Sequence, residues 1–371
     1  MISSAIFPHR YIQGAGALSE LGKHLQPLGK NAVAVLDPGI AKMMKPKIEE
    51  AVEGQIDVTY YDFSGESTEA EMKKVAEIAK RNNCEIIIGC GGGKAVDTAK
   101  GAAFFYPAKL VIVPTICASD APCSKNAVVY NEDHTVNRDI HGLANPDIVL
   151  VDTAVIAKAP TRYLSAGIAD ALATWFEAES TLATRRRNFT GYSGTRTAYA
   201  IARLCYDTLM ASAIAAVQHC DANIVTPQLE DTVEACTLMS TVGFESGGLG
   251  AAHGFHQGLA ELPETHRFLH GEKVALGILA GLYLTQKPAA LIDAIYDFHV
   301  KARLPICLAD LNIADTSTDH LMIAVKRMNQ PGECTEWEPV KYSPDDHLAA
   351  LLAADQHGRR LVASRDIAPC K

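Results

Sequence analysis

Three short segments in the second half of the chain carry residues able to hold a metal ion. Asp170 lies within GIADALATWFE, Gly167–Glu177, an otherwise apolar helical run. A carboxylate there is costly to desolvate without a partner, and a cation is one such partner. His253 and His256 lie in GGLGAAHGFHQG, Gly247–Gly258, and His266 and His270 in HRFLHGEKV, His266–Val274. One carboxylate with two imidazoles leaves zinc an open position for substrate. The chain holds 13 histidines, so spacing alone leaves a second reading open, in which His253 and His256 form a helix surface or a satisfied core pair. Glycines flank both histidine segments and permit close backbone approach.

A different chemistry is suggested by Ile86–Lys100, IIIGCGGGKAVDTAK, where a strand runs into three glycines, Gly91, Gly92 and Gly93, and a helix follows from Lys94. Glycines let the backbone approach a phosphate, and the free N–H groups of a helix start point at an anion. Lys94 adds positive charge. The run is neither a Walker A loop nor a Rossmann fingerprint, because the sixth position counted from Gly89 is Lys94. The alternative is a tight strand–helix turn that binds nothing, with Asp97 and Lys100 on the helix surface. Asp37 closes the strand NAVAVLD. An acidic residue there can bond an adenosine ribose and would repel a 2′-phosphate, favouring NAD over NADP; a plain loop aspartate is the other reading.

Elements that would position these groups fall into two grammars. Up to about residue 150, short β-branched runs at Asn31–Asp37, Gln55–Phe63, Glu85–Cys90, Leu110–Thr115 and Asp147–Asp152 alternate with helix-like stretches at Gly39–Glu53, Thr68–Asn82 and Lys94–Phe105. That alternation predicts a mainly parallel sheet covered on both faces. After Pro160 the chain turns to long Ala- and Leu-rich stretches: Ala166–Ser180, Tyr192–Cys220, Gln228–Met239 and Val274–Tyr283. The expectation is an α/β domain over residues 1–160 and an all-helical domain over 161–371, with a ligand cleft between.

Bulk properties exclude other classes. The 371 residues are 48% hydrophobic and 21% charged, an ordinary globular composition. A net charge of −9 is the wrong sign for coating phosphates, so no nucleic-acid partner is expected. The N-terminus, MISSAIFPHRYIQG, has no signal-peptide pattern, and no apolar run is expected to reach the ~18–20 residues that span a bilayer. The ten cysteines form no Cys-x-x-Cys pair, which suits a cytoplasmic protein without disulfides.

Five segments in order resemble the iron-containing, or group III, alcohol dehydrogenases, and among them bacterial glycerol dehydrogenases: GGGKAVDTAK (Gly91–Lys100), PTICASDAPCS (Pro114–Ser124), GIADALATWFEA (Gly167–Ala178), VGFESGGL (Val242–Leu249) and HGEKV (His270–Val274). The resemblance runs from Tyr11 to near the C-terminus. It implies a Rossmann-like α/β domain followed by an all-α domain, the architecture shared with dehydroquinate synthase. It also implies NAD-dependent oxidation of glycerol to dihydroxyacetone. By resemblance, Asp170, His253 and His270 are the metal ligands. Asp37, Gly92, Gly93, Lys94, Asp97, Thr115, Ala118, Ser124, Asn126 and Tyr130 fall in the NAD-holding segments. Asp120 falls beside the substrate, and His256 is the candidate proton relay. A homo-oligomer, often a large ring such as an octamer, is carried over as well, with no membrane partner.

The pattern departs from iron-using relatives at Thr174, where they place a histidine one turn after the aspartate. Three protein ligands remain, which favours one Zn2+ per subunit over iron or another divalent ion. Ala95 and the run Cys117–Ser119 also replace parts of the family's nucleotide loops, at the cost of a side-chain hydroxyl. The expected chemistry is hydride transfer from C2 of glycerol to NAD, with the ion as Lewis acid. Rival readings are a phosphorylated-substrate enzyme of the same fold, which would need basic residues beyond Lys273, and a non-catalytic nucleotide-binding protein, which would not need the metal triad. Glycerol, 1,2-propanediol and hydroxyacetone all suit the site.

Overall fold

The structure is a computed structural model that describes residues 2–132, 136–140 and 143–365. Two compact units divide the chain. One comprises Phe7–Pro160 with His219–Thr241; the other comprises residues 2–6, Thr161–Gln218 and residues 242–365.

The first unit is built on a six-stranded sheet. Its order is Tyr11–Gly14, Ile148–Asp152, Lys109–Pro114, Ile86–Gly91, Asn31–Leu36, Asp57–Tyr61, and every pairing is parallel. The central strands read as continuous apolar runs because both faces are covered: Ala32–Val35 and Ile86–Ile88 have no exposed surface. Helices Ala41–Val52, Glu69–Arg81 and Gly93–Phe105 make the crossovers. The edge strand Tyr11–Gly14 has no apolar run to announce it. An antiparallel ribbon, Ala127–Tyr130 with Val136–Ile140, is added beside this sheet.

The segment His219–Thr241, which the sequence reading assigns to the helical domain, packs with the α/β unit. Polar ties explain this. Gln13 Nε2 donates to the Glu230 carboxylate at 2.8 Å, Thr153 Oγ1 donates to the same carboxylate at 2.6 Å, and the Tyr11 and Thr237 hydroxyls meet at 2.6 Å. Helical periodicity reports a helix but not the body it packs against.

Among the described residues, the two-residue pairing of Ser3–Ser4 with Ser193–Gly194 is the one strand contact of the otherwise helical second unit. Its site-bearing helices are Thr161–Thr184, Ala251–Leu259 and His270–Leu284. Gly271 sets how closely the first and third approach, since an added Cβ there would overlap the Ala166 carbonyl. Helices Ala289–Lys301, Thr318–Met328 and Pro344–Arg365 complete the unit.

One helix departs from the expectation that no apolar run is long enough to span a bilayer. Arg196–Asp221 has a mean hydropathy of 1.4 over its best 18-residue window and is long enough to cross a membrane. Its buried residues Ala198, Ala202, Cys205, Leu209, Ala213, Ala216 and Cys220 recur every three or four positions, while Arg203 pairs with Asp207 at 2.8 Å on the exposed side. Such a one-sided stripe belongs to a helix packed on a protein core. The alanines that line it raise hydropathy without making the whole circumference apolar. The nine described cysteines are all buried, and none of them is in a disulfide; Cys370 lies outside the described residues.

Candidate metal centre and nucleotide turn

In the helical unit, Asp170, His253 and His270 converge, with one ligand atom from each lying within 4.8 Å of the others. Asp170 Oδ1 is 3.0 Å from His270 Nε2 and 3.4 Å from His253 Nε2. Asp170 is buried, His253 half-buried and His270 exposed, so the point they surround is reachable from one side. A buried carboxylate with two imidazole nitrogens aimed at one point fits a divalent cation.

Each candidate ligand is held by its own element. Asp170 projects from the interior of Thr161–Thr184, and four residues on, Thr174 is buried where Gly243 leaves room for its methyl. His270 opens its helix. The first turn is fastened by Glu272, which accepts the Leu269 N–H at 2.7 Å and takes Arg162 in a two-pronged pair at 2.6 and 2.7 Å. His253 sits in the first turn of Ala251–Leu259. Glu177 accepts both its N–H, at 2.8 Å, and its Nδ1, at 2.7 Å. Glu338 accepts the Ala251 N–H of the same helix start at 2.7 Å.

Electrostatics follow from this packing. Burial works to raise the Asp170 carboxyl, but the His270 charge and the His253 hydrogen bond outweigh it and hold the group well below the usual carboxylate range. For His253, burial works downward, and Glu177 and Asp170 lift the imidazole well above its ordinary value. His256 is pushed well below it, first by burial and then by His270 and Lys273. The His256 ring centroid lies 4.1 Å from that of His270, beside the triad but outside the converging set. His266 is exposed on the preceding loop.

The glycine run forms a turn in the α/β unit. Strand Ile86–Gly91 ends with Gly91 at φ 152°, and its absent Cβ would stand 2.5 Å from the Asp37 Cβ. Only glycine satisfies both demands. Helix Gly93–Phe105 starts from Gly92 with no side-chain cap among the described residues, and Gly93 is exposed to open space. The turn lines a cavity with Val96, Ile116, Ala118, Ser119, Ala121 and Pro122. Free N–H groups at a glycine-walled helix start fit a dinucleotide phosphate. Asp37 caps the next strand end, accepting the Gly39 N–H at 2.9 Å. Thr115 is buried, its N–H on the Gly91 carbonyl at 3.1 Å. Lys94 pairs with Glu66 at 2.7 Å and lies 5.1 Å from the Tyr130 ring centre.

Asp97 and Lys100 are not on a helix surface: both are buried, 3.8 Å apart. The Lys100 ammonium donates to the Ala121 carbonyl at 2.6 Å, and to the Ser124 hydroxyl and the Asn126 carbonyl at 2.9 Å each. It thereby gathers the loop that carries Thr115, Ala118, Asp120, Ser124 and Asn126. Burial raises the Asp97 carboxyl to about 6 against the opposing pull of Lys100. Asp120 begins the short turn Ala121–Cys123 in this loop. The Ser240 hydroxyl donates to its Oδ2, and the Thr241 hydroxyl to its backbone carbonyl, each at 2.7 Å. Ser240 and Thr241 directly follow a π-helical turn, Ala235–Met239, a feature frequent at functional sites.

Sequence reasoning missed Glu177, Glu338, Lys100, Ser240 and Thr241. For Glu177 a signal existed: it follows Asp170 by seven residues, two turns along one helix face. Ser240 and Glu338 are brought in by tertiary packing and carry no local mark.

Comparison with known proteins identifies the family. The profile of iron-containing alcohol dehydrogenases matches residues 8–153. The chain is 43% identical to a glycerol dehydrogenase of Thermotoga maritima over 97% of this chain and 98% of that protein. It is 38% identical to a glycolaldehyde reductase of Halobacterium salinarum, covering 95% and 97% of the two chains. The crystal structure of glycerol dehydrogenase from Schizosaccharomyces pombe superimposes with a TM-score of 0.93 at 32% identity, over 99% of this chain and 94% of that one. With close relatives along nearly its whole length, this chain belongs to the iron-containing alcohol dehydrogenase family, as an oxidoreductase of the glycerol dehydrogenase type.

Proposed function

We propose that this enzyme reversibly oxidises glycerol and kindred small vicinal diols to the hydroxyketone, with NAD as acceptor and one zinc ion held by Asp170, His253 and His270. The convergence of those three ligand atoms within 4.8 Å on a partly exposed point carries the reading. A structural zinc site is closed by four protein ligands, whereas three ligands and an accessible side leave a place for substrate. Zinc is preferred over iron because the donor set is one carboxylate and two imidazoles, with Thr174 where a fourth ligand would stand. The names of the similar proteins, two glycerol dehydrogenases and a glycolaldehyde reductase, support a small hydroxylated substrate. Nine buried cysteines with no disulfide among the described residues suit a cytoplasmic location.

When bound, the ion supplies Lewis acidity and NAD supplies a hydride acceptor. The chain's own residues do the rest. The uncapped helix start at Gly93 receives the pyrophosphate, and Asp37 accepts from the adenosine ribose. Asp120, fixed by Ser240 and Thr241, accepts a hydrogen bond from a substrate hydroxyl and so orients the reacting carbon. His256 stands beside the triad and passes the released proton on to water.

Two measurements test this. NAD reduction with glycerol is expected to disappear on chelation and return with added Zn2+; activity that survives complete metal removal overturns the metal role. Asp120→Asn keeps the shape and the Ser240 contact but removes the charge. A hydrogen bond to a charged group is worth about 1.5–3 kcal/mol, so kcat/KM for glycerol falls roughly 10- to 150-fold with NAD and zinc affinities unchanged. An unaltered kcat/KM removes Asp120 from substrate contact.

A further inference from the structure

Glu177 is almost fully buried, at 1% exposure, and it spends both carboxylate oxygens on a single residue. Oε1 accepts the His253 backbone N–H at 2.8 Å and Oε2 accepts from His253 Nδ1 at 2.7 Å. The main chain and ring of His253 are thus gripped by one rigid group, which fixes both its side-chain torsions. A charge-assisted bond at Nδ1 also selects the tautomer, because the nitrogen that donates carries the proton and the other keeps its lone pair. That other atom, Nε2, faces Asp170 Oδ1 at 3.4 Å. Charge adds to the argument: Asp170 and Glu177 are both buried, and two carboxylates with two neutral imidazoles balance a divalent cation.

We infer that Glu177 is a positioning residue for the metal centre, holding His253 as an Nε2 donor and supplying the second of two buried negative charges that a divalent ion neutralises. The inference rests on the metal reading given above. Glu338 provides the internal comparison. It caps the same helix start, on Ala251 N at 2.7 Å, and its described hydrogen bonds reach no imidazole.

The test uses the full-length protein stripped of metal and titrated with Zn2+ against a chromophoric chelator, with NAD binding and the thermal midpoint measured alongside. Removing a carboxylate that orients a metal-bound imidazole costs 10- to 100-fold in metal affinity as a rule. Glu177→Gln is therefore expected to raise the zinc dissociation constant by about that factor while NAD binding holds. Glu338→Gln is expected to lower the thermal midpoint and leave zinc affinity unchanged. Should Glu177→Gln not fold, Glu177→Asp keeps the charge but is too short to make both bonds, and its zinc affinity is expected to fall as well. Wild-type zinc affinity in the Glu177 variants overturns the inference. Equal weakening in Glu338→Gln also overturns it, because helix capping would then account for the effect. A wild-type protein that takes up no zinc sinks the metal reading itself, a separate result.

Discussion

Replacing Asp170 by Asn strips the protein of its divalent ion and lowers kcat/KM for glycerol by roughly 10^3-fold or more, since Lewis-acid stabilisation contributes several kcal/mol. Asp170 is the one carboxylate of the triad, and both imidazoles point at its Oδ1, at 3.0 and 3.4 Å. The amide has the same outline, so the helix Thr161–Thr184 keeps its packing. It offers no charge against the two positive charges of the ion. Metal content by elemental analysis, with NAD binding as the control for an intact α/β unit, separates loss of the ion from loss of the fold. A variant that retains one metal per chain and full turnover would remove Asp170 from the ligand set.

Gly91→Ala weakens NAD binding through the backbone. The residue sits at φ 152°, where L side chains are strained, and its new methyl would stand 2.5 Å from the Asp37 Cβ. Holding a non-glycine residue in such a region costs of order 1–3 kcal/mol. Relief requires the strand end to separate from Asp37, which disturbs the phosphate turn and the ribose contact together. The expected loss is roughly 5- to 150-fold in NAD affinity, with zinc affinity unaffected because the triad belongs to the other unit. Gly93→Ala is the informative neighbour: nothing lies within 4 Å of its absent Cβ, so any loss of NAD binding there reports the approach of the ligand itself. Unchanged NAD affinity in Gly91→Ala would move the nucleotide away from this turn.

Much of the architecture was legible in local pattern. The runs at 31–36, 86–91, 109–114 and 148–152 are apolar and β-branched because both faces of a parallel sheet are buried. The strand–glycine–helix order marked the candidate nucleotide turn for a reason of sterics that a sequence states directly. The edge strand Tyr11–Gly14 and the helices past residue 285 were not legible, since half-exposed positions break the hydrophobic period. The same limit applies to His219–Thr241, whose helical pattern is silent on the polar ties that fasten it to the α/β unit.

At the candidate metal centre, sequence alone determined that a carboxylate stood inside an apolar helix and that glycines flanked two histidine pairs. Which histidines met Asp170 was decided by tertiary packing: His253 and His270 converge, His256 stands beside them, and His266 is exposed on a loop. Close helix contact at Gly271 and the grip of Glu177 on His253 make that choice. Asp97 and Lys100 show the same division. The sequence left Asp97 open between an NAD-holding segment and a helix surface, and offered only the helix surface for Lys100, because charged residues seldom survive burial unpaired. The loop that folds over Lys100 supplies three oxygen acceptors, and partners 21 to 26 residues distant are what a local reading cannot see.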